Sequence, residues 1–122
     1  MNVSSELLLE KFEKRYITQK EIQAQANLYL LENNYEHAYP YVKAFALLNK
    51  ESQTDKITAG LVAVLLEKQE DAKELFSLVL EDDPAHYDAN YNLALLEIKE
   101  EKYTEANNRI ESLLSTQKTQ QF

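Results

Sequence analysis

Three alanines, Ala38, Ala72 and Ala106, stand 34 residues apart, and each closes a short polar string: 33–38, 67–72 and 101–106. The apolar residues four places on keep step (Val42, Phe76, Ile110), as do Phe45, Val79, Leu113 and Ala46, Leu80, Leu114. Upstream, Ala26, Gly60 and Ala94 recur at the same interval, and no gap is needed anywhere. A fixed period of this length is the signature of an array of equal supersecondary units. Each period holds two apolar-periodic stretches of 11–14 residues separated by a polar break, which reads as a helical hairpin.

Composition agrees with an all-α chain. One glycine in 122 residues leaves few positions free to take the positive φ angles of tight turns and phosphate loops. Small sandwiches, barrels, dinucleotide folds and P-loop folds are disfavoured on that ground. The absence of cysteine excludes a disulfide or cysteine–zinc scaffold, and 44% apolar residues argue against disorder. At this length the chain is expected to be one domain over residues 1–122.

The formal charge of −8 disfavours nucleic acid and anionic membranes as partners. It is unevenly spread: residues 1–20 carry Lys11, Lys14, Arg15 and Lys20 against Glu6, Glu10 and Glu13, so the surplus lies on the repeats. The start lacks the basic head of a secretory signal, and the longest apolar run, Ile57 to Leu66, is far below the ~20 residues of a membrane span. A cytoplasmic protein without membrane insertion is expected.

The pattern resembles the tetratricopeptide repeat family, whose unit is two antiparallel helices in about 34 residues with the pattern W-x2-L-G-x2-Y, A-x3-F, P. The unit 53–86 supplies Gly60, Ala72-x3-Phe76 and Pro84; the unit 87–120 supplies Ala94 and Ala106-x3-Ile110; the unit 19–52 supplies Ala26-x2-Tyr29 and Ala38-x3-Val42. Ile22, Lys56 and Asn90 stand where the family has tryptophan. The resemblance implies a right-handed superhelix of three helical hairpins, preceded by an amphipathic helix over 1–18 and ending in a short polar tail.

Local chemistry supplies the boundaries. Thr18-x2-Glu21 is a capping-box pattern, Asn33-Asn34 a stop and restart, and Asp83-Pro84 a break between units. Pro40 falls near the start of a helix beginning about residue 36, where a late start or mild kink is expected. The small residues 26, 60 and 94 are expected to face the alanines 38, 72 and 106, drawing paired helices close. Val3, Leu7, Leu8, Phe12 and Tyr16 make the apolar stripe of the first helix, which is expected to dock on the acidic array as cap or lid. A repeat array needs a polar terminal face, and Asn107, Asn108, Arg109 and Glu111 suggest one.

The chain holds no cysteine nucleophile, Gly-x-Ser-x-Gly elbow or glycine-rich phosphate loop. His37 is expected to be solvated, and His86 among Asp82, Asp83 and Asp88 matches a turn with capping acids better than a metal site. No enzyme, metal or cofactor is expected.

The resemblance implies binding, with the first helix of each pair lining the concave side. The lining would be Gln23, Asn27 and Leu30, then Ile57, Leu61 and Val64, then Tyr91, Leu95 and Ile98. The family's carboxylate clamp for acidic chaperone tails needs basic residues where Gln23, Thr54, Asp88 and Asn92 stand, so that subclass is excluded. The run 57–66 is apolar all round, and its face Ile57, Leu61, Val64 and Leu65 needs a cover. The expected function is a protein-interaction module, chaperone- or adaptor-like, holding an apolar helical partner segment. In size it resembles compact tetratricopeptide chaperones of bacterial secretion systems. The alternatives are a small assembly factor or a self-associating structural module, hence a homo-oligomer.

Overall fold

The computed structural model describes residues 3–120, with side chains to 115, and every regular element among them is a helix. α1 is Ser5–Glu13, α2 Gln19–Leu31, α3 Tyr35–Leu48, α4 Gln53–Leu65, α5 Gln69–Asp82, α6 Tyr87–Lys99 and α7 Tyr103–Gln120. The starts of α2, α4 and α6 are 34 residues apart, and so are those of α3, α5 and α7. The helices pair as α2 with α3, α4 with α5 and α6 with α7, while α3 also packs on α4 and α5 on α6.

The boundaries repeat because the caps repeat. Thr18, Ser52 and His86, again 34 apart, each accept an amide hydrogen bond in the first turn of the helix that follows. Thr18 and Glu21 complete a capping box. Within each hairpin the chain turns through one left-handed residue: Asn33 (φ 56°), Glu67 (60°) and Glu101 (64°). The next amide then reaches back to a carbonyl five residues earlier: Asn34 to Tyr29 at 2.9 Å, Lys68 to Ala63 at 2.8 Å, Lys102 to Glu97 at 2.7 Å. Arg15 (φ 65°) ends α1 in the same way. The scarcity of glycine therefore does not keep this chain out of positive φ; four ordinary side chains bear the steric cost of it.

Gly60 is used for closeness instead. A Cβ built on it would lie 2.6 Å from the Phe76 ring, and Phe76 is fully buried in the core. The alanines 26, 38, 72, 94 and 106 are buried as well. α3 begins at Tyr35, so Pro40 is its sixth residue, and the helix continues through it to Leu48. The late start does not occur; the missing Pro40 amide leaves the carbonyl of the exposed Glu36 to solvent.

α1 packs on α3, where Leu8, Leu9 and Phe12 join Ile22, Ala44, Phe45 and Leu48. It is a cap on the first hairpin. Tyr16 lies beyond the helix and is exposed, and Val3 is largely exposed too.

The departures from tryptophan now have a physical reading. Lys56 is buried, and its Nζ donates to the carbonyls of Lys50 (2.6 Å) and Ser52 (3.3 Å) in the preceding linker. Asn90, also buried, donates to the carbonyls of Pro84 (3.0 Å) and His86 (2.9 Å). Each ties a buried polar side chain to backbone acceptors of the preceding linker. Ile22 has the α1 cap over it and is fully apolar.

Candidate partner-binding face

Repeat-equivalent positions can be compared across the three hairpins, and the nine expected lining residues divide into three classes. Asn27, Leu61 and Leu95 are exposed in every hairpin. Gln23 and Tyr91 are exposed, but Ile57 between them is buried in the core. Leu30 and Val64 are half-buried against the core, whereas Ile98 is exposed. Ile57 is therefore corrected from lining to core, and the nine do not form one strip.

One position is added. Leu31, Leu65 and Lys99, four residues beyond the open class, are also exposed in all three hairpins. At i and i+4 the two classes share a helix face. Together they place four leucines in the open: Leu31 at 84%, Leu65 at 61%, Leu95 at 46% and Leu61 at 42%. Leu65 already stood out in the apolar run, and the 34-residue register carries it to Leu31. Lys20, Thr54 and Asp88, one helical segment upstream, are exposed as well and make the polar end of each stripe.

Residues of α2, α3 and α4 meet beside Asn27 on this face. A cleft of about 60 Å³ lies between them, lined by Gln23, Asn27, Leu30, Phe45, Asp55 and Thr58. At roughly 30 Å³ per water it is a seam, not a ligand cavity. The first helix does not cover the leucines: the apolar residues of α1 are committed to the first hairpin, so it is not a lid on this face.

Two larger hollows lie elsewhere. One of about 490 Å³ is lined by Tyr29, His37, Tyr39, Pro40, Tyr41 and Lys68, among other residues. Its aromatic rings pack on one another, Tyr29 lying 5.6 Å from His37 and 5.8 Å from Tyr41. The other, about 590 Å³, borders Asn90, Glu97 and Arg109, whose groups are already paired. Arg109 donates to both carboxylate oxygens of Glu97 (2.9 and 3.2 Å) and to Asn90 Oδ1 (2.9 Å).

The shifted titrations all trace to packing or pairing. Burial, and then the hydrogen bond to Asp71, raise the Tyr39 phenol. That bond (2.7 Å) holds the Asp71 carboxyl below its usual range, helped by Lys43. The Lys73 ammonium, 2.8 Å from Glu100, lowers the Glu100 carboxyl. His86 has its Nδ1 occupied by the Ala89 amide (3.2 Å) and acts as a helix cap. None of these groups lies on the leucine face, whose exposed leucines are accompanied by Lys20, Asp88 and Lys99.

The chain matches no known protein-family model, and no curated protein matches it. No helix among the described residues is long and apolar enough to cross a membrane.

Proposed function

We propose that this chain is a non-catalytic module of the tetratricopeptide type, three hairpins stacked as a right-handed superhelix, that holds an apolar helical segment of a partner protein. In this arrangement α2, α4 and α6 stand side by side and their open stripes merge into one groove. The reading is carried by a single observation: of the positions that stay exposed in every hairpin, 27/61/95 and 31/65/99 lie one helical turn apart, and four of those six residues are leucine. Soluble folds scatter exposed leucines singly, whereas a regular row of them marks an interaction surface.

A partner helix with apolar residues at i, i+3, i+4 and i+7 would bury the leucines. Since Leu61 and Leu95 are already about half-covered, the gain is on the order of 3–6 kcal/mol before the ordering costs of association. Reversible burial of an apolar helix on such a face suits a chaperone- or adaptor-like role.

The test is capture of partners from a lysate by immobilised chain, with Leu61→Glu/Leu95→Glu as the comparison. Both side chains are exposed, so helicity by circular dichroism should be unchanged while specific capture is lost. Equal capture by both proteins would remove the leucine face from the function.

A further inference from the structure

Six positions per hairpin tell a different story from the leucine stripe. On α6 they are Tyr87, Tyr91 and Ile98, and on α7 Tyr103, Asn107 and Leu114, with the same i, i+4, i+11 spacing on each helix. All six are exposed. Their equivalents in the central hairpin, 53, 57, 64, 69, 73 and 80, are without exception buried or half-buried. In the first hairpin only Gln23 of the six is exposed.

Hydrogen bonds show which way this face looks. Tyr39 of the first hairpin donates forward to Asp71 of the second. Its equivalent Lys73 reaches forward to Glu100 of the third at 2.8–3.0 Å. The six positions therefore form the face on which the following hairpin stacks. In the third hairpin the equivalent residue, Asn107, has Glu111 of its own helix at 3.4 Å. No element among the described residues lies over this face.

A stacking face that no further repeat covers is normally polar. This one carries three tyrosines, an isoleucine and a leucine, and is more aromatic than the covered face of the central hairpin, which holds Gln53, Gln69 and Lys73. Polar residues do occur in the third hairpin, at Asn108, Arg109 and Glu111, but off these six positions.

We infer that this face is a homodimer interface, in which the third hairpins of two copies pack face to face about a twofold axis. Charge selects a second copy as the occupant. In a chain of net −8, none of the six residues is ionisable near neutral pH, so two copies can bring this face together with little like-charge repulsion. Tyrosine hydroxyls and the Asn107 amide both donate and accept, which lets the face satisfy itself across a twofold. Tyrosines are among the residues enriched at interface cores. The opposite end of the array does not match this face and disfavours head-to-tail growth: α1 is packed there with Glu6, Glu10, Lys11 and Glu13 outward, although Leu28 stays exposed. The assembly closes at two copies.

Multi-angle light scattering over a concentration series tests this. Six side chains make a small interface, so half-dimerisation is expected at roughly 1–100 μM. The wild type should rise from 14.2 kDa toward twice that mass. Tyr103→Glu/Leu114→Glu should stay monomeric at least about tenfold higher in concentration, because each buried carboxylate would lack a partner. Both residues are exposed, so an unchanged melting temperature of the dilute variant certifies its fold. A wild type that stays monomeric to about 500 μM overturns the proposal, whether the chain's own last residues or a foreign helix cover the face. So does a dimer that survives the double variant, or one lost through Leu61→Glu/Leu95→Glu instead; the leucine-face reading stands or falls separately, on partner capture.

Discussion

In the central hairpin the Phe76 ring lies against Gly60 with no exposure, and the hairpin has neighbours on both sides. In the third, Ile110 occupies the Phe76 position half-buried, and the stacking positions beside it are open. The two units share a register and a pair of helices of equal spacing. Their difference is one of neighbours. A repeat unit cannot bury its own stacking faces, so the same sequence position is core in one copy and surface in the next.

The largest expected effect separates the two units by packing. Phe76→Ala should cost about 3–5 kcal/mol and Ile110→Ala about 1–2, since the first leaves a closed void and the second a solvated one. Urea denaturation of the two variants measures the ratio. Near-equal losses would mean that the third hairpin is as tightly enclosed as the second.

A smaller effect acts in the opposite direction and should be the same in both units. Glu67→Gly and Glu101→Gly relieve left-handed backbone at equivalent turns and should each stabilise by about 1 kcal/mol, a rise of a few degrees in Tm. If Glu101→Gly gave much less than Glu67→Gly, the third hairpin would be fraying before the rest unfolds.

The smallest effect probes the bonds that join the hairpins. Asp71 and Glu100 titrate below the ordinary carboxylate range when folded. Their contribution is therefore fully present above the unfolded-state pKa of about 4 and is lost as pH falls through the lower folded value. Thermal melts from pH 6 down to pH 3 should lose stability, and Lys73→Met should flatten the share that belongs to Glu100. An unchanged slope in Lys73→Met would show that this ion pair does not couple the second hairpin to the third.

Much of the fold is legible in the sequence. The 34-residue spacing of Ala38, Ala72 and Ala106 placed six helices, because a helical hairpin has a set length and its small contacts recur with it. Thr18 and Glu21 marked a helix start by their hydrogen-bonding chemistry alone. Gly60 is legible as a close approach from its place in the 34-residue register, although the side chain nearest to it is Phe76 and not the expected Ala72. His86 was read as part of a capping turn with the acids doing the work, whereas its own ring nitrogen is the cap. The candidate face was half legible: Leu61 and Leu95 were found, Ile57 was misplaced, and Leu31 was missed.

Ile57 shows the reason. Its apolar side chain and helical phase are the same as those of a surface stripe, and periodicity reports a face without reporting what covers it. Likewise the amphipathic stripe of α1 could be read from Leu8 and Phe12, but its docking on α3 depended on where Ile22, Ala44 and Leu48 come together. The sequence by itself determined an all-α chain of three equal hairpins with a helix before them, since caps, small residues and period are local properties. Only the tertiary structure decided which equivalent positions are enclosed and which stand open, because enclosure depends on the hairpin that follows.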